Sequence, residues 1–190
     1  MFENWNSLGV FTGGAKITKV NALIKKYQID TLAGCETQCD WRQADEMHQF
    51  KNILAFGMNK RCQVGHNTTE KTVRNQKGGT AIATFGRLAL QVTGSGCDHT
   101  GLGRWAWQRI GKGNVTTIVV VVYHSCDKNK DSKGFTTFQQ HKQYFQARGD
   151  FQSPCTILFE QLITQLRIWK LEGNEIILCE DFNKMCMREG

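Results

Sequence analysis

Long apolar runs are absent from this sequence of 190 residues. The longest, residues 116–123, has the length of a strand and falls well short of the ~20 residues that a membrane-spanning helix needs. The first nine residues contain neither a basic stretch nor an apolar core, so they do not have the composition of a secretory signal peptide. Repeats, low-complexity tracts and linkers are also absent. We therefore expect residues 1–190 to form one intracellular domain, nuclear or cytoplasmic, with no membrane attachment.

A disulfide framework is not expected, although the chain contains eight cysteines. They are scattered along the sequence, several within apolar stretches, as is usual for reduced thiols in an intracellular protein. The spacings Cys35/Cys39 and Cys97/His99 raise the alternative of a zinc site. Zinc sites usually combine two closely spaced ligand pairs at recognisable separations, and no such set is found. Buried structural cysteines are the favoured interpretation.

Acidic residues are fewer than basic ones, which gives a formal charge of +7. The surplus lies in two segments, residues 60–77 and 104–113, and the rest of the chain is balanced. Two basic segments on one face would attract a polyanion such as DNA or RNA, and DNA is favoured. The alternative is ordinary solvated loop charge. The candidate nucleic-acid-binding side chains are Lys71, Arg74, Lys77, Arg104, Arg109 and Lys112.

Hydrophobic periodicity predicts helices alternating with strands, with antiparallel hairpins in the middle of the chain. This pattern indicates a layered α/β fold that is not a purely parallel sheet. The predicted helices cover about 17–27, 43–56, 136–147 and 155–171. The predicted strands cover 29–35, 61–64, 80–85, 88–92, 105–110, 115–123 and 175–179, with Gly86-Arg87 as a hairpin turn and the Gly-rich stretch 93–103 as a loop.

Polar residues stand where several predicted strands end. Glu36 and Asp181 directly follow apolar strands, Tyr123 closes another, and Asn6 lies near the N-terminus. Two carboxylates so placed can hold a divalent cation and orient a water, as phosphodiester hydrolysis requires. Amide and tyrosine groups can donate hydrogen bonds to phosphate oxygens. Each residue also has a structural alternative, such as a turn cap or a solvated hydroxyl, so the four are informative only together.

Their order along the chain resembles a known family. The matching segments are Trp5-Asn6, Ile29 to Thr37 with Cys35-Glu36, Gly78-Gly79-Thr80, Val119 to Tyr123, and Ile176 to Asn183 with Asp181-Phe182-Asn183. Together they resemble the endonuclease/exonuclease/phosphatase family, which includes DNase I, abasic-site and retrotransposon endonucleases, and inositol phosphatases. The resemblance implies a four-layer α/β sandwich with two mixed β-sheets. It spans nearly the whole chain.

The resemblance also implies roles for individual residues. Glu36 is similar to the family's metal-binding glutamate, and the implied cofactor is Mg²⁺ or Mn²⁺. Tyr123 is similar to a phosphate-contacting tyrosine, and Asp181 to the aspartate that directs the water. Asn6 is similar to the asparagine that ends the first strand, and Asn183 to the amide that accompanies the aspartate.

The sequence departs from the family pattern in three places. Leu8 stands where the family has an aspartate, and Glu180 replaces the glycine before Asp181. The family's C-terminal Ser-Asp-His does not occur before Gly190, which predicts an incomplete second sheet and a missing segment or a larger polyprotein. His124 does not replace that histidine, because neighbours of Tyr123 on a strand face the other way.

Three functions follow as hypotheses. The first is a metal-dependent phosphodiester hydrolase, a nucleic-acid endonuclease of retroelement type. The second is an inactive chain that binds nucleic acid through its basic segments. The third is an inositol or lipid phosphate phosphatase of the same family. Trp105 and Trp107, on one strand face, are expected to be core residues or a stacking surface for bases.

Overall fold

Eight strands and five helices make up the structure, a computed structural model that describes residues 1–12, 14–54, 59–69, 76–113, 115–125 and 136–181. The strands are β1 (Phe2–Asn4), β2 (Thr31–Cys35), β3 (Lys60–Gly65), β4 (Thr80–Phe85), β5 (Val92–Cys97), β6 (Trp105–Lys112), β7 (Val115–Tyr123) and β8 (Glu175–Asp181). The helices are α1 (Ala15–Tyr27), α2 (Phe50–Ile53), α3 (Gly86–Ala89), α4 (Thr137–Gln146) and α5 (Pro154–Leu171). Lys71, Arg74, Asn183 and the side chain of Lys112 lie outside the described part.

The strands form two mixed four-stranded sheets. The first has the order β1-β2-β4-β3, in which β1 and β2 are parallel and the other pairs antiparallel. The second has the order β5-β6-β7-β8, in which β7 and β8 are parallel and the other pairs antiparallel. The predicted β6–β7 hairpin is therefore confirmed, and both parallel pairs place two strand ends side by side.

Apolar side chains fill three spaces between layers. Ala33, Ile82 and Val121 lie among those buried between the two sheets. On the outer face of the first sheet, Val20 and Ile24 of α1 are buried in one core, and α5 covers the outer face of the second sheet in another. The order is thus helix, sheet, sheet, helix. The predicted four-layer α/β sandwich with two mixed sheets is confirmed.

One predicted helix and one predicted strand are wrong. Residues 43–56 do not form a single helix: a 3₁₀ turn at Glu46–His48 precedes the one-turn α2. Met47, within the predicted range, is 79% exposed, and Asp45 caps the 3₁₀ turn by accepting a hydrogen bond from the His48 N–H at 3.0 Å. Residues 86–89 form α3, so the strand predicted at 88–92 begins only at Val92.

The Gly-rich stretch predicted as a loop begins as strand β5 instead. A side chain at Gly96 would overlap the Trp107 ring on the neighbouring strand, and one at Gly94 would touch it. The glycines therefore make room for an indole. Trp107 in turn contacts Trp169 of α5 with ring centroids 5.4 Å apart, and Trp105 is 2% exposed. Both tryptophans belong to the core under α5, so the stacking-surface alternative is wrong.

None of the described helices combines the length and the apolar character needed to cross a membrane. Six cysteines lie in the described ranges, all as free thiols.

Candidate active site

Four side chains meet where β1, β2, β7 and β8 end, and we call Asn4, Glu36, Tyr123 and Asp181 the strand-end cluster. The pairing register explains their proximity. Asn4 is opposite Cys35, the residue before Glu36, and Tyr123 is opposite Asp181. The Asn4 side chain then links the two sheets: its Nδ2 donates to Glu36 Oε1 at 3.1 Å and also to Asp181 Oδ2. The structure thus brings Glu36, Tyr123 and Asp181 together as the sequence suggested.

The asparagine at this position is Asn4, not Asn6. Asn6 has a left-handed backbone (φ 41°), and its side-chain oxygen accepts a hydrogen bond from Gln38 Nε2 at 3.3 Å. Asn4 Oδ1 accepts a hydrogen bond from the Asn6 backbone N–H at 2.9 Å, and this bond orients the Asn4 side chain. The two asparagines are two residues apart, and only the length of β1 distinguishes them. Because β1 ends at Asn4, Asn4 is the asparagine that lies at the C-terminal end of that strand, where the cluster is located.

Glu36 adopts a left-handed backbone with φ 55°, which is uncommon outside glycine. Backbone hydrogen bonds hold the segment on both sides: the Ser7 N–H donates to the Glu36 carbonyl at 2.8 Å, and the Gln38 N–H donates to the Gly78 carbonyl at 2.9 Å. The resulting turn directs the Glu36 side chain toward Asn4. Sparsely populated backbone conformations of this kind tend to occur at functional sites.

Two glycines make that turn possible. Gly78 and Gly79 have φ of 81° and 87°, which side-chain-bearing residues rarely adopt. A Cβ on Gly79 would lie 2.5 Å from Thr37 Oγ1, and one on Gly78 would lie 3.2 Å from the Tyr123 ring. The Gly-Gly pair predicted from the sequence therefore lets the start of β4 approach both Glu36 and Tyr123.

The charges of the two carboxylates affect their neighbours. Burial, followed by the negative charges of Asp181 and Glu36, raises the pKa of the Cys35 thiol to about 12. Burial and the Glu36 charge also raise the pKa of Tyr123 above its ordinary value, against a hydrogen bond with the Thr137 side chain. Tyr123 is 9% exposed and keeps its proton at neutral pH. The cluster is therefore an anionic centre beside a neutral O–H donor.

The donor atoms fit a hard divalent cation. Glu36 Oε1 and Asp181 Oδ2 converge on a single amide nitrogen, and carboxylate oxygens are the ligands that Mg²⁺ prefers. Mg²⁺ usually keeps several waters and needs only one or two protein carboxylates. Within the described ranges, no three His, Cys, Asp or Glu side chains group as a metal site needs, so the zinc alternative gains no support.

Glu180 and His124 lie on the opposite face of their strands from the cluster. Both Glu180 carboxylate oxygens are buried without a hydrogen bond in the described residues. Burial, and then the Asp181 charge, raises the pKa of Glu180 to about 7. The ring of His124 packs on Phe159 of α5 with centroids 5.4 Å apart. Glu180 therefore points away from the site.

The basic residues that the structure describes among those predicted to bind nucleic acid, Lys77, Arg104 and Arg109, have different surroundings. Lys77 is exposed next to Tyr123. Arg104 is fully buried, so the prediction that it contacts nucleic acid is wrong. Its Nε donates to Asp98 Oδ2 at 2.5 Å, and its Nη2 donates to Gln161 Oε1 at 2.5 Å.

Arg109 and Lys112 lie toward the far end of β6. Trp105 pairs with Val122 at the cluster end, and Lys112 pairs with Val115. Trp105 and Lys112 are seven residue steps apart along the strand, roughly 23 Å. Arg109 forms an ion pair with Glu172, which offsets its charge.

The fold is that of the endonuclease/exonuclease/phosphatase proteins, as the motifs suggested. The catalytic domain of Xenopus laevis APE2 superposes with a TM-score of 0.60 at 15% identity, over 96% of this chain and 57% of that one. The Neisseria 3′ phosphatase NExo, in a structure bound to a product DNA hairpin, superposes with a TM-score of 0.51 at 17% identity, over 96% and 56%. The human Nocturnin catalytic domain with a bound sulfate anion gives a TM-score of 0.52 at 14% identity, over 94% and 60%.

This chain thus spans between 56% and 60% of the length of those three structures. No family model matches the sequence, and neither does any curated protein.

Proposed function

We propose that this protein is a divalent-metal-dependent phosphodiester hydrolase that acts on nucleic acid as an endonuclease. The observation that carries the proposal is the Asn4 amide, which joins Glu36 of the first sheet and Asp181 of the second beside Tyr123. Paired carboxylates with a protonated hydroxyl donor provide a base for water and a donor for the phosphate.

Each residue of the cluster has a proposed role. Asp181 orients a water and takes its proton as the water oxygen bonds to phosphorus and the ester P–O bond breaks; the leaving oxygen is protonated by solvent. Tyr123 donates a hydrogen bond to a phosphate oxygen as negative charge develops. Glu36, with Asp181 nearby, would hold Mg²⁺ or Mn²⁺, which offsets phosphate charge when bound. Asn183 remains the proposed companion amide.

Nucleic acid, and DNA in particular, is the proposed substrate. The formal charge of +7 favours a polyanion, and Lys77 is exposed beside the cluster. NExo, which shares the fold, has been seen with a DNA hairpin, and this supports the same choice. The retroelement subtype depends on the sequence resemblance alone.

Nicking of supercoiled plasmid in the presence of Mg²⁺ tests the proposal. We expect Glu36→Gln and Asp181→Asn to reduce the nicking rate by about 100-fold or more, since charge-stabilising groups contribute about that much. Asp30→Asn is the matched control, because Asp30 is an exposed carboxylate at the opposite end of β2 and should leave the rate unchanged. Equal residual nicking by wild type and Asp181→Asn would refute hydrolysis by this site.

A second candidate is binding without cleavage. The observation in its favour concerns two histidines: His124 packs on Phe159, and burial lowers the pKa of His141 to about 3. Neither is placed to donate a proton to a leaving group. DNA retained in a mobility-shift assay, with no Mg²⁺-dependent nicking by the same preparation, would select this candidate over the first.

A further inference from the structure

Lys16, the second residue of α1, makes two hydrogen bonds to the chain just beyond β1. Its Nζ donates to the Trp5 carbonyl at 2.6 Å and to the Asn6 carbonyl at 2.8 Å. Each carbonyl belongs to a peptide group whose N–H lies on the following residue, so the ammonium group binds two consecutive peptide groups. Hydrogen bonds from a charged donor are about twice as strong as neutral ones. Lys16 therefore fixes the turn that follows β1.

The N–H groups of these two peptides are directed at the candidate active site. The peptide between Trp5 and Asn6 donates its N–H to Asn4 Oδ1 at 2.9 Å. The peptide between Asn6 and Ser7 donates its N–H to the Glu36 carbonyl at 2.8 Å. A single ammonium group is thus connected, one peptide away, to the side chain of Asn4 and to the backbone of Glu36.

The turn that Lys16 binds has an unfavourable backbone conformation. Asn6 and Ser7 have φ of 41° and 76°, and two successive side-chain-bearing residues in the left-handed region are uncommon. Such conformations persist only where surrounding contacts hold them, and they tend to occur at functional sites. The Gln38 amide reaches Asn6 Oδ1 only at 3.3 Å, whereas the bonds from Lys16 are 2.6 and 2.8 Å long. Lys16 thus makes the stronger contacts with this turn.

A cation on a carbonyl oxygen also strengthens the N–H of the same peptide as a donor. The positive charge draws electrons toward the oxygen and leaves the amide hydrogen more positive, and hydrogen bonds in a chain reinforce one another. The chain runs from Lys16 through the first of these peptides to Asn4 Oδ1. It continues from Asn4 Nδ2 to Glu36 Oε1 at 3.1 Å and to Asp181 Oδ2. Asn4 therefore donates more strongly to the two carboxylates.

We propose that Lys16 is a positioning residue of the candidate active site. Its ammonium group, through two consecutive peptide groups, holds Asn4 and Glu36 in the geometry that the reaction requires. This inference rests on the proposed function and adds to it a residue of α1 that lies outside the strand-end cluster. Lys16 acts through Asn4 and Glu36, and not by binding a phosphate of the substrate.

Plasmid-nicking kinetics with Mg²⁺ test this role. Lys16→Met keeps the length of the side chain and removes the ammonium group. We expect kcat to fall about tenfold, since a charged hydrogen bond contributes about that factor, and the KM for DNA to change by less than about twofold. Lys19→Met, at an exposed lysine of the same helix, is the matched control and should change neither constant. An unchanged kcat, with or without a raised KM, would overturn the proposal.

A double-mutant cycle with Asn4 distinguishes positioning from a general loss of stability. If Lys16 acts mainly through Asn4, Lys16→Met should lower the kcat of the Asn4→Ala variant by less than about threefold, because the side chain that it orients is gone. A loss of stability would instead add to the effect of Asn4→Ala. A loss of about tenfold that persists in the Asn4→Ala background would overturn the proposal.

The ¹H–¹⁵N NMR spectrum provides a readout that needs no activity. A weaker hydrogen bond moves an amide proton upfield, so Lys16→Met should shift the Asn6 backbone N–H and the Asn4 side-chain NH₂ upfield, and Lys19→Met should shift neither. Lys16→Gln, which also removes the charge, repeats the measurement if Lys16→Met does not fold. Unchanged Asn4 and Asn6 signals would overturn the proposal even in an active enzyme. The expected shifts in a wild type that nicks no DNA would support the link from Lys16 to Asn4 and refute the proposed function alone.

Discussion

Asn4 connects the two sheets at the candidate site, because its amide group donates hydrogen bonds to both Glu36 and Asp181. Two carboxylates that approach each other repel, and an N–H₂ group shared between them offsets part of that repulsion. Asn6 donates its backbone N–H to Asn4 Oδ1 and so orients the Asn4 side chain, while its own side chain contacts Gln38. The two asparagines should therefore differ sharply when replaced.

Replacing Asn4 by alanine should lower the Mg²⁺-dependent nicking rate by about 100-fold, because the carboxylates lose the group that positions them. Asn6→Ala removes a side chain that contacts Gln38 and should lower the rate by less than about threefold. The measurement is a plasmid-nicking time course at matched protein concentration. Similar losses in the two variants would show that Asn4 has no special role.

Glu180 should make stability depend on pH. Burial raises its pKa from 4.5 to about 7 in the folded protein, so the folded state holds this proton more tightly than the unfolded state. The contribution of protonated Glu180 to the free energy of unfolding is fully present below about pH 4.5 and is lost as the pH rises through about 7. Glu180→Gln should therefore match the wild type near pH 4.5 and exceed its free energy of unfolding at pH 8 by on the order of 1 kcal/mol, after discounting for partial exposure.

Urea unfolding of both proteins across this pH range measures the difference. Glu175→Gln is the matched control, because Glu175 lies on the same strand and is exposed. A constant difference between the Glu180→Gln variant and the wild type at all pH values would contradict the assignment.

The sequence predicted Glu36, Tyr123 and Asp181 correctly as neighbours because each ends a clearly apolar strand. It could not separate Asn4 from Asn6, since β1 has only three residues and no periodicity to read. It also could not show that Arg104 is buried. That depends on a loop that brings Asp98 back to Arg104, and on Gln161 of α5, which lies 57 residues away along the chain.

Among the elements, the turn that leads into β4 has the most influence on the site. It carries Gly78 and Gly79, and its carbonyls accept hydrogen bonds from the Gln38 and Thr37 N–H groups that follow Glu36. In β5 the glycines signal an indole from the next strand rather than a loop, which requires knowledge of the strand partner.

Gly79→Ala should destabilise the fold by about 2–3 kcal/mol and lower activity, because it combines a left-handed φ with an overlap of the new Cβ and Thr37 Oγ1. Gly149→Ala separates the two effects: Gly149 has φ 80°, but nothing lies within 4 Å of its Cβ position. The free energy of unfolding of that control should fall by only about 1 kcal/mol, because only backbone strain acts there. Chemical unfolding measures both losses, and equal losses would show that the contact with Thr37 is unimportant.

At the scale of the whole molecule, one side of the sandwich is open in the described residues. There β1 and β8 are the edge strands of the two sheets, and an apolar groove of about 370 Å³ lies between them. Ile177 on one face of β8 is 53% exposed, and Leu178 on the other is 41% exposed. Apolar side chains on both faces of an edge strand favour pairing with further chain.

This open side predicts self-association of the purified chain. Leu178→Lys should reduce concentration-dependent light scattering and the fluorescence of bound anilinonaphthalene sulfonate, because a charge on an edge strand opposes strand pairing and can interact with Glu180 on the same face. Leu90→Lys is the matched control, since Leu90 is 69% exposed directly after α3 and lies outside both edge strands. Exposed strand edges usually associate at concentrations up to about 100 μM. If the wild-type chain stays monomeric over this range, the β8 edge is protected. If both lysine variants reduce scattering equally, added charge explains the effect rather than the edge.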